Sequence, residues 1–295
     1  MVPEPGLGAD FHGGKAMSHN GFRWSSPTTV VALVLGVALV VGYGAWREGW
    51  RPTFHNPLAN SADSDTRIYN GFEGTNAASY AEGAAGIVPP PAAKAGDWSA
   101  ADVARDLSAV KAALVSSHLD HRLLVTGDPA GYLAQVAPGY RSLAKLSLAK
   151  DSFSEMIRTA PGTTLADLSP RVKGKMTFGV GKDEDGHSYL QITTNYVWAY
   201  AFAGVGTNHP GEHVVVVHDE TKWGSYSDSH VGPESRGLWV EGTQAYVYNM
   251  DCQQIAHGLI APASWKDQGT GVAGGGEDYS PDQPVDGPDT CPNHK

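Results

Sequence analysis

The 295-residue chain has only two cysteines, few basic residues and none of the common nucleotide-binding or nucleophile motifs. Two cysteines exclude a thiolate metal cluster and a disulfide-dense scaffold. Lysine and arginine total 21 against 31 acidic residues, and the net charge of −10 argues against a nucleic-acid partner. Neither a G-x-S-x-G elbow nor a Walker-type G-x-x-x-x-G-K-[ST] loop occurs. We therefore expect no cofactor and no nucleic acid.

One long apolar run stands out near the N-terminus. Val30–Trp46 contains no charged or amide side chain, and with the two preceding threonines it would form a helix of about 28 Å, close to the thickness of a bilayer core. Trp24 and Trp50 flank the run as interfacial anchors. The sequence therefore predicts a transmembrane helix at residues 27–46, with residues 28–46 in contact with the lipid bilayer.

The same run has features of a cleaved signal peptide, because Gly42 and Gly44 would permit cleavage after Gly44. However, its apolar core is longer than the usual ~7–15 residues of a signal peptide, and a long leader precedes it. We expect a retained anchor.

The orientation of this helix does not follow from charge, since two basic residues lie close to each of its ends. Cys252 and Cys291 form an even pair that suits an oxidising exterior, where they would close one disulfide. Two free thiols are the alternative if the domain faces the cytoplasm. We expect a cytoplasmic N-terminus in the cell membrane and an extracytoplasmic C-terminal domain.

Composition divides the rest of the chain. Residues 1–26 predict a disordered cytoplasmic tail, and residues 47–97 an Ala/Gly/Pro-rich linker stiffened at the Pro89–Pro91 run. An α+β domain is expected at residues 98–265, followed by an irregular tail at 266–295.

The first part of this domain has helical periodicity. Ser99 and Asp102 form a capping-box-like start, and apolar residues then recur at spacings of four and three as far as Leu114. We expect this helix to continue to Val125 and to end at Gly127. Two shorter helical segments are predicted after it.

After Pro170 the period changes to two, which predicts strands. The expected strands are residues 172–180, 189–202, 212–220, 223–226, 238–240 and 245–248. Helices followed by strands at hairpin spacing predict an α+β fold, with the helices packed on one face of an antiparallel sheet.

A resemblance to a known family rests on the segment HRLLVTGDPAGYLAQVAP, residues 121–138. It is similar to a segment of nuclear-transport-factor-two-like domains in bacterial secreted and membrane-anchored proteins. The matching positions are Gly127, Asp128, Tyr132, Leu133 and Pro138. The resemblance covers about residues 99–250 and implies helices packed on a curved, cone-like sheet with a pocket at its wide end. The layout also resembles that of mammalian-cell-entry-associated membrane proteins.

Candidate chemistry is concentrated in two places. His118 and His121 are three residues apart with Asp120 between them. They could share a metal ion, form an acid–base pair lining the cone as in catalytic relatives, or simply end a helix as polar residues. We expect no metal site, and His213 and His218, five apart on a strand, point to opposite faces.

The aromatic side chains of the longest predicted strand could line a pocket or pack beneath the helices as core. The expected pocket-lining residues are Tyr196, Trp198, Tyr200 and His218. The function expected from all this is binding of an envelope protein partner or a small apolar ligand without chemistry. An isomerase- or dehydratase-like enzyme using a pocket histidine with a carboxylate is the alternative, and the domain could form a homodimer.

Overall fold

The computed structural model describes residues 67–149, 155–183, 186–226, 231–255, 257–263, 279–283 and 285. The residues that the structure describes all belong to one compact unit. The predicted transmembrane helix at residues 27–46 lies outside the described residues. Within the described part of the chain, no helix is both long and apolar enough to cross a bilayer.

The described unit is built on a five-stranded antiparallel sheet in which neighbours in sequence are neighbours in space. Its strands are β1 Ala81–Glu82, β2 Arg171–Lys182, β3 Ser188–Ala201, β4 Val214–Ser225 and β5 Leu238–Tyr248. Strands β2 to β5 follow one another along the chain, as the period-two pattern indicates, whereas the long helices lie between β1 and β2. The predicted α+β fold with an antiparallel sheet is confirmed.

Two of the strands are longer than predicted. Residues 212–220 and 223–226 were expected as separate strands but lie in one strand, β4, and the two short strands expected at 238–240 and 245–248 lie in β5. In β5 the break in the pattern coincides with a β-bulge: Lys222 pairs with Gly242, whereas Trp223 pairs with Val240, so that Glu241 is the extra residue on β5. A bulge changes the phase of the alternation, and the sequence pattern therefore breaks where the strand does not.

Within the described residues, five α-helices accompany the sheet. They are α1 Ala100–His118, α2 His121–Thr126, α3 Ala130–Leu133, α4 Arg141–Ala149 and α5 Cys252–Ile255. The predicted capping box of α1 is confirmed, since Ser99 and Asp102 bond reciprocally through side chain and backbone. The apolar stripe of α1 is buried against the sheet, with Val103, Val110 and Leu114 fully enclosed.

The first helix does not continue to Val125, so this prediction is wrong. It ends at His118, and a new helix begins after Asp120, whose carboxylate accepts a hydrogen bond of 2.9 Å from the backbone N–H of Arg122. The carboxylate of an aspartate accepts hydrogen bonds from nearby backbone N–H groups, so an aspartate is more favourable at the start of a helix than inside one. The second helix ends at Gly127 in the left-handed conformation, as expected.

The linker predicted at residues 47–97 ends earlier than expected, because the chain from Arg67 onward packs on the sheet. Ile87 is fully buried, and β1 pairs with β2. A Cβ atom at Gly86 would lie 2.4 Å from the carbonyl oxygen of Val172, so this close approach requires glycine. The sequence does not predict this packing, because a segment rich in alanine, glycine and proline has too few large apolar side chains to form a periodic pattern.

Apolar clusters cover both faces of the sheet. We call the face beneath the helices, with Trp198 and Val217, the inner face, and the opposite one the outer face. The outer cluster contains Phe72, Ala77, Tyr80, Val197, Ala199, Ala201, Val214, Val216 and Tyr279. Tyr279 belongs to the predicted irregular tail, and its carbonyl accepts a hydrogen bond from the Tyr80 hydroxyl. Both flanking segments thus contribute to the folded unit.

Substitution of Gly86 tests whether residues 67–97 belong to the folded unit. We expect Gly86→Ala to lower the free energy of unfolding by about 1–3 kcal/mol, because the added methyl group meets the backbone of β2. Gly179→Ala, where nothing lies within 4 Å of the added carbon, should change it by less than about 0.5 kcal/mol. Urea denaturation of the purified protein measures both, and equal values for the two variants would contradict the packing described.

Candidate functional site

The inner face carries a buried contact between a histidine and an aspartate. His118 is the last residue of α1, and Asp219 lies in the middle of β4; they are 3% and 4% exposed. The His118 Nε2 atom lies 3.2 Å from Asp219 Oδ2, within ion-pair distance, but the contact does not meet the angular geometry of a hydrogen bond. This pair joins the end of the first helix to the centre of the sheet.

Three further side chains hold the pair in place, and we call the five residues the His–Asp cluster. The indole Nε1–H of Trp198 donates a hydrogen bond of 2.7 Å to Asp219 Oδ1. The Trp198 ring also stacks on the His118 imidazole, with their centroids 4.3 Å apart. Ser117 Oγ lies 2.6 Å from His118 Nδ1, and the Tyr200 hydroxyl donates to the His118 carbonyl at 3.1 Å.

Both ring nitrogens of His118 have a polar neighbour. Nε2 faces the Asp219 carboxylate, and Nδ1 faces the Ser117 hydroxyl, where either atom can donate according to the tautomer of the ring. Chemically, such an arrangement can hold or exchange one proton.

Sequence periodicity explains how both residues reach the inner face. His118 follows Leu114 by four residues and so extends the buried stripe of α1. Asp219 follows Val217 by two residues on β4, and it pairs across the strands with Tyr196. Asp219 was missed as a site residue, although its shared parity with the buried valines of β4 could have indicated it.

Two polar atoms near the cluster have no hydrogen-bond partner within the described part of the protein. They are the Tyr196 hydroxyl and Asp219 Oδ2, both buried. Burial, with a contribution from the charge of Asp219, raises the pKa of Tyr196 to about 12. The phenol therefore keeps its proton at neutral pH as an unused donor. Leaving a buried donor unsatisfied costs about 1–3 kcal/mol, and such atoms concentrate at functional sites.

The candidate residues His118, His121 and Asp120 do not come together, because the helix breaks between them. His121 is exposed on α2, while the Asp120 carboxylate is used as the N-cap of that helix. Only His118 faces the interior, and its acidic partner is Asp219 rather than Asp120. Across the described residues, no three His, Cys, Asp or Glu side chains come together as a metal-binding group.

The predicted pocket-lining set is divided between the two faces of the sheet. Tyr196, Trp198 and Tyr200 lie on the inner face and are all fully buried beneath the helices. His218 pairs with Val197 on the outer face, where its Nε2 lies 3.0 Å from Asn195 Oδ1. Directly opposite residues share a face, and even positions of β3 are opposite odd positions of β4. His218, an even position of β4, therefore lies on the other face of the sheet from the three aromatic residues.

A second buried carboxylate, Glu155, was not indicated by any sequence pattern. It accepts hydrogen bonds from the hydroxyls of Tyr132, at 3.1 Å, and Tyr140. Burial, reinforced by the charge of Glu155, raises the pKa of both tyrosines. Because both phenols remain protonated, they continue to donate hydrogen bonds to the Glu155 carboxylate. These bonds link Tyr132 and Tyr140 to the segment that follows α4.

Comparison of the sequence with family models and curated proteins, and of the chain with solved structures, finds no match.

A double-mutant cycle measures the His–Asp contact. We expect His118→Ala and Asp219→Ala each to lower the free energy of unfolding by about 3–5 kcal/mol, because each leaves a buried polar partner uncompensated. The loss in the double variant should be smaller than the sum of the two single-variant losses by about 1–3 kcal/mol. His121→Ala, on an exposed histidine, should change it by less than about 0.5 kcal/mol. Additive losses in urea denaturation would show that the two side chains do not interact.

The outer-face histidine predicts a pH dependence of stability. Burial lowers the pKa of His218 from its ordinary value, and Asp219 and Glu220 only partly oppose this. Below about pH 6.5 the unfolded chain therefore binds a proton that folded His218 does not, and stability falls as pH decreases. His218→Gln keeps a neutral donor for Asn195 and should lose less stability than wild type between pH 7 and pH 5, a range set by the ordinary histidine pKa of ~6.5.

The matched control for that prediction is His121→Gln, which changes an exposed histidine. Melting temperatures across the pH range measure both variants. If His218→Gln loses as much stability as the wild type on acidification, folded His218 is protonated as readily as unfolded His218.

Proposed function

We propose that this protein is a single-pass cell-envelope protein whose extracytoplasmic domain binds an envelope partner without catalysing a reaction. The observation that carries this proposal is the enclosure of the His–Asp cluster. The residues best suited to acid–base chemistry, His118 and Asp219, are almost completely buried, and Trp198 covers the imidazole face. A substrate needs an open cavity beside such a pair.

The location of the domain is proposed from the apolar run at residues 28–46 together with the cysteines. Cys252 is not a free thiol in the structure, which supports a disulfide. Its proposed partner, Cys291, lies outside the described residues. A disulfide between them would be stable in an oxidising compartment, as expected for a domain outside the cytoplasm.

We also propose that the domain is a nuclear-transport-factor-two-like cone. An opening helix on the inner face, a break, short further helices and an antiparallel sheet in sequential order support this proposal. In that family the inner face can be both core and pocket. Here the aromatic residues of β3 are fully buried, which favours core and a partner-binding role over a small apolar ligand.

An isomerase- or dehydratase-like enzyme is the second candidate, and a specific observation favours it. The His118–Asp219 contact of 3.2 Å has the composition of a general acid–base pair, and the nearby Tyr196 hydroxyl is an unused donor. This candidate requires the inner face to open, so that a substrate reaches His118.

Chemical labelling of histidines separates the two candidates. Diethyl pyrocarbonate modifies accessible imidazoles, and mass spectrometry reads each site. The binding proposal predicts that exposed His121 is modified at least about 10²-fold faster than His118, because labelling of His118 requires unfolding. Comparable rates would favour the enzyme, since they would show a path from solvent to the pair.

Membrane anchoring and topology are tested on the full-length chain in cells. We expect the protein to stay in membranes after alkaline carbonate extraction, and protease added to cells whose outer barrier is opened should digest the C-terminal domain. A non-reducing gel should show a faster-migrating species that Cys252→Ser abolishes. Release by carbonate or a protease-protected domain would contradict the proposal.

The proposed homodimer is tested separately from the anchor. Sedimentation equilibrium of the detergent-solubilised protein, with the detergent density-matched, gives the mass of the protein component. A mass of one chain at the highest concentration would remove the dimer and leave the partner-binding proposal unaffected.

A further inference from the structure

The outer face of the sheet has a small cavity between β4 and β5. Its volume is about 210 Å³, and it is lined by Glu220, Lys222, Gly242, Thr243 and Gln244. All five residues belong to the described part of the chain. Pockets that hold drug-sized ligands measure ~300–1,000 Å³, so this cavity suits a smaller molecule.

The pairing of the two strands explains why a cavity forms at this place. Lys222 of β4 is directly opposite Gly242 of β5, and Glu220 is opposite Gln244. Because glycine has no side chain, the layer of side chains on the outer face has a gap beside Lys222. Among the described residues, no heavy atom lies within 4 Å of a Cβ atom placed at Gly242, so the gap is open.

Two side chains of opposite charge form one wall of the cavity. Glu220 and Lys222 are two residues apart on β4, so they lie on the same face with their Cα atoms about 6.5 Å apart. Within the described part of the protein, neither residue belongs to an ion pair. The Glu220 carboxylate accepts a long hydrogen bond, of 3.5 Å, from Gln244 Nε2. One carboxylate and one ammonium group are therefore available to a ligand.

The surroundings of these two charges do not neutralise them. Directly opposite them on β3 are Asn195 and Thr193, whose side chains are neutral. Glu241, the extra residue of the bulge, lies over Gly224, where a Cβ atom would be 2.5 Å from Glu241 Oε1. Its carboxylate is thus directed along the strand and is not part of the lining.

The charges define the chemistry of a matching ligand. A charge-assisted hydrogen bond is about twice as strong as a neutral one, so a ligand gains most when it meets both charged groups. A simple anion would be repelled by Glu220, and a simple cation by Lys222. A free α-amino acid carries an ammonium and a carboxylate group on one carbon atom, and its side chain can extend into the gap beside Gly242.

We propose that this cavity binds a free α-amino acid, with its ammonium group on Glu220, its carboxylate on Lys222 and its side chain beside Gly242. The site lies on the opposite face of the sheet from the His–Asp cluster, and it depends neither on the membrane anchor nor on the proposed envelope partner. Because ion pairs at an exposed surface are weak, we expect a Kd of about 1 mM.

Saturation-transfer difference nuclear magnetic resonance on the full-length protein in dodecyl maltoside tests this proposal. Irradiation of the aromatic protons of the protein leaves this detergent unsaturated, since it has none. The probes are L-alanine, propionate and ethylamine, because the last two each carry one of the two charges of alanine. We expect a saturable methyl signal from alanine and at least about tenfold weaker binding of the other two.

Variants locate the binding in the cavity. Gly242→Leu fills the gap without a clash and should abolish the alanine signal. Gly179→Leu is the matched control, since Gly179 is an equally open glycine on the outer face of β2 and should keep the wild-type Kd. Glu220→Gln and Lys222→Gln should each raise the Kd of alanine about tenfold.

Three results would overturn the proposal. They are the absence of a saturable alanine signal, equal binding of the three probes, and alanine binding that Gly242→Leu leaves intact or that both leucine variants reduce equally. None of these results affects the anchor or the topology, which carbonate extraction and protease digestion test separately.

Discussion

The architecture of this domain depends on placing one carboxylate, Asp219, in the centre of the inner face. Burial of an ion in a medium of low polarity costs several kcal/mol unless partners replace its hydration. The Trp198 indole donates a hydrogen bond to Asp219, and His118 Nε2 lies within ion-pair distance of it. The His118–Asp219 contact thus joins the end of α1 to the centre of the sheet, beside the apolar stripe of the helix.

Enclosure makes the same pair a poor catalytic site as it stands. Acid–base chemistry needs a histidine and a carboxylate in contact, and also space for a reacting molecule beside them. Here the ring of Trp198 stacks on the imidazole, and His118 is only 3% exposed. The burial that stabilises the cluster thus also limits the access of a substrate to it. For this reason we propose that the domain acts by binding a partner at its surface.

Local sequence signals predicted this fold better than they predicted the site. The capping box at Ser99, the cap at Gly127 and the alternation along β3 all act within a few residues, so they are visible in the sequence. The burial of Asp219 likewise follows from its parity with Val217. Its meeting with His118 does not, because the crossing point of a helix on a sheet depends on side-chain packing across distant segments.

Exchange of the Trp198 indole hydrogen with solvent tests the central claim most directly. This hydrogen is bonded to Asp219 at 2.7 Å beneath the helices, so a sealed cluster predicts that it exchanges only when the whole domain unfolds. Nuclear magnetic resonance after transfer to heavy water should show its signal decaying as slowly as those of the most protected amides of β3 and β4. Loss of the indole signal well before those amides exchange would contradict the account, because it would show that the inner face opens to solvent in the folded state.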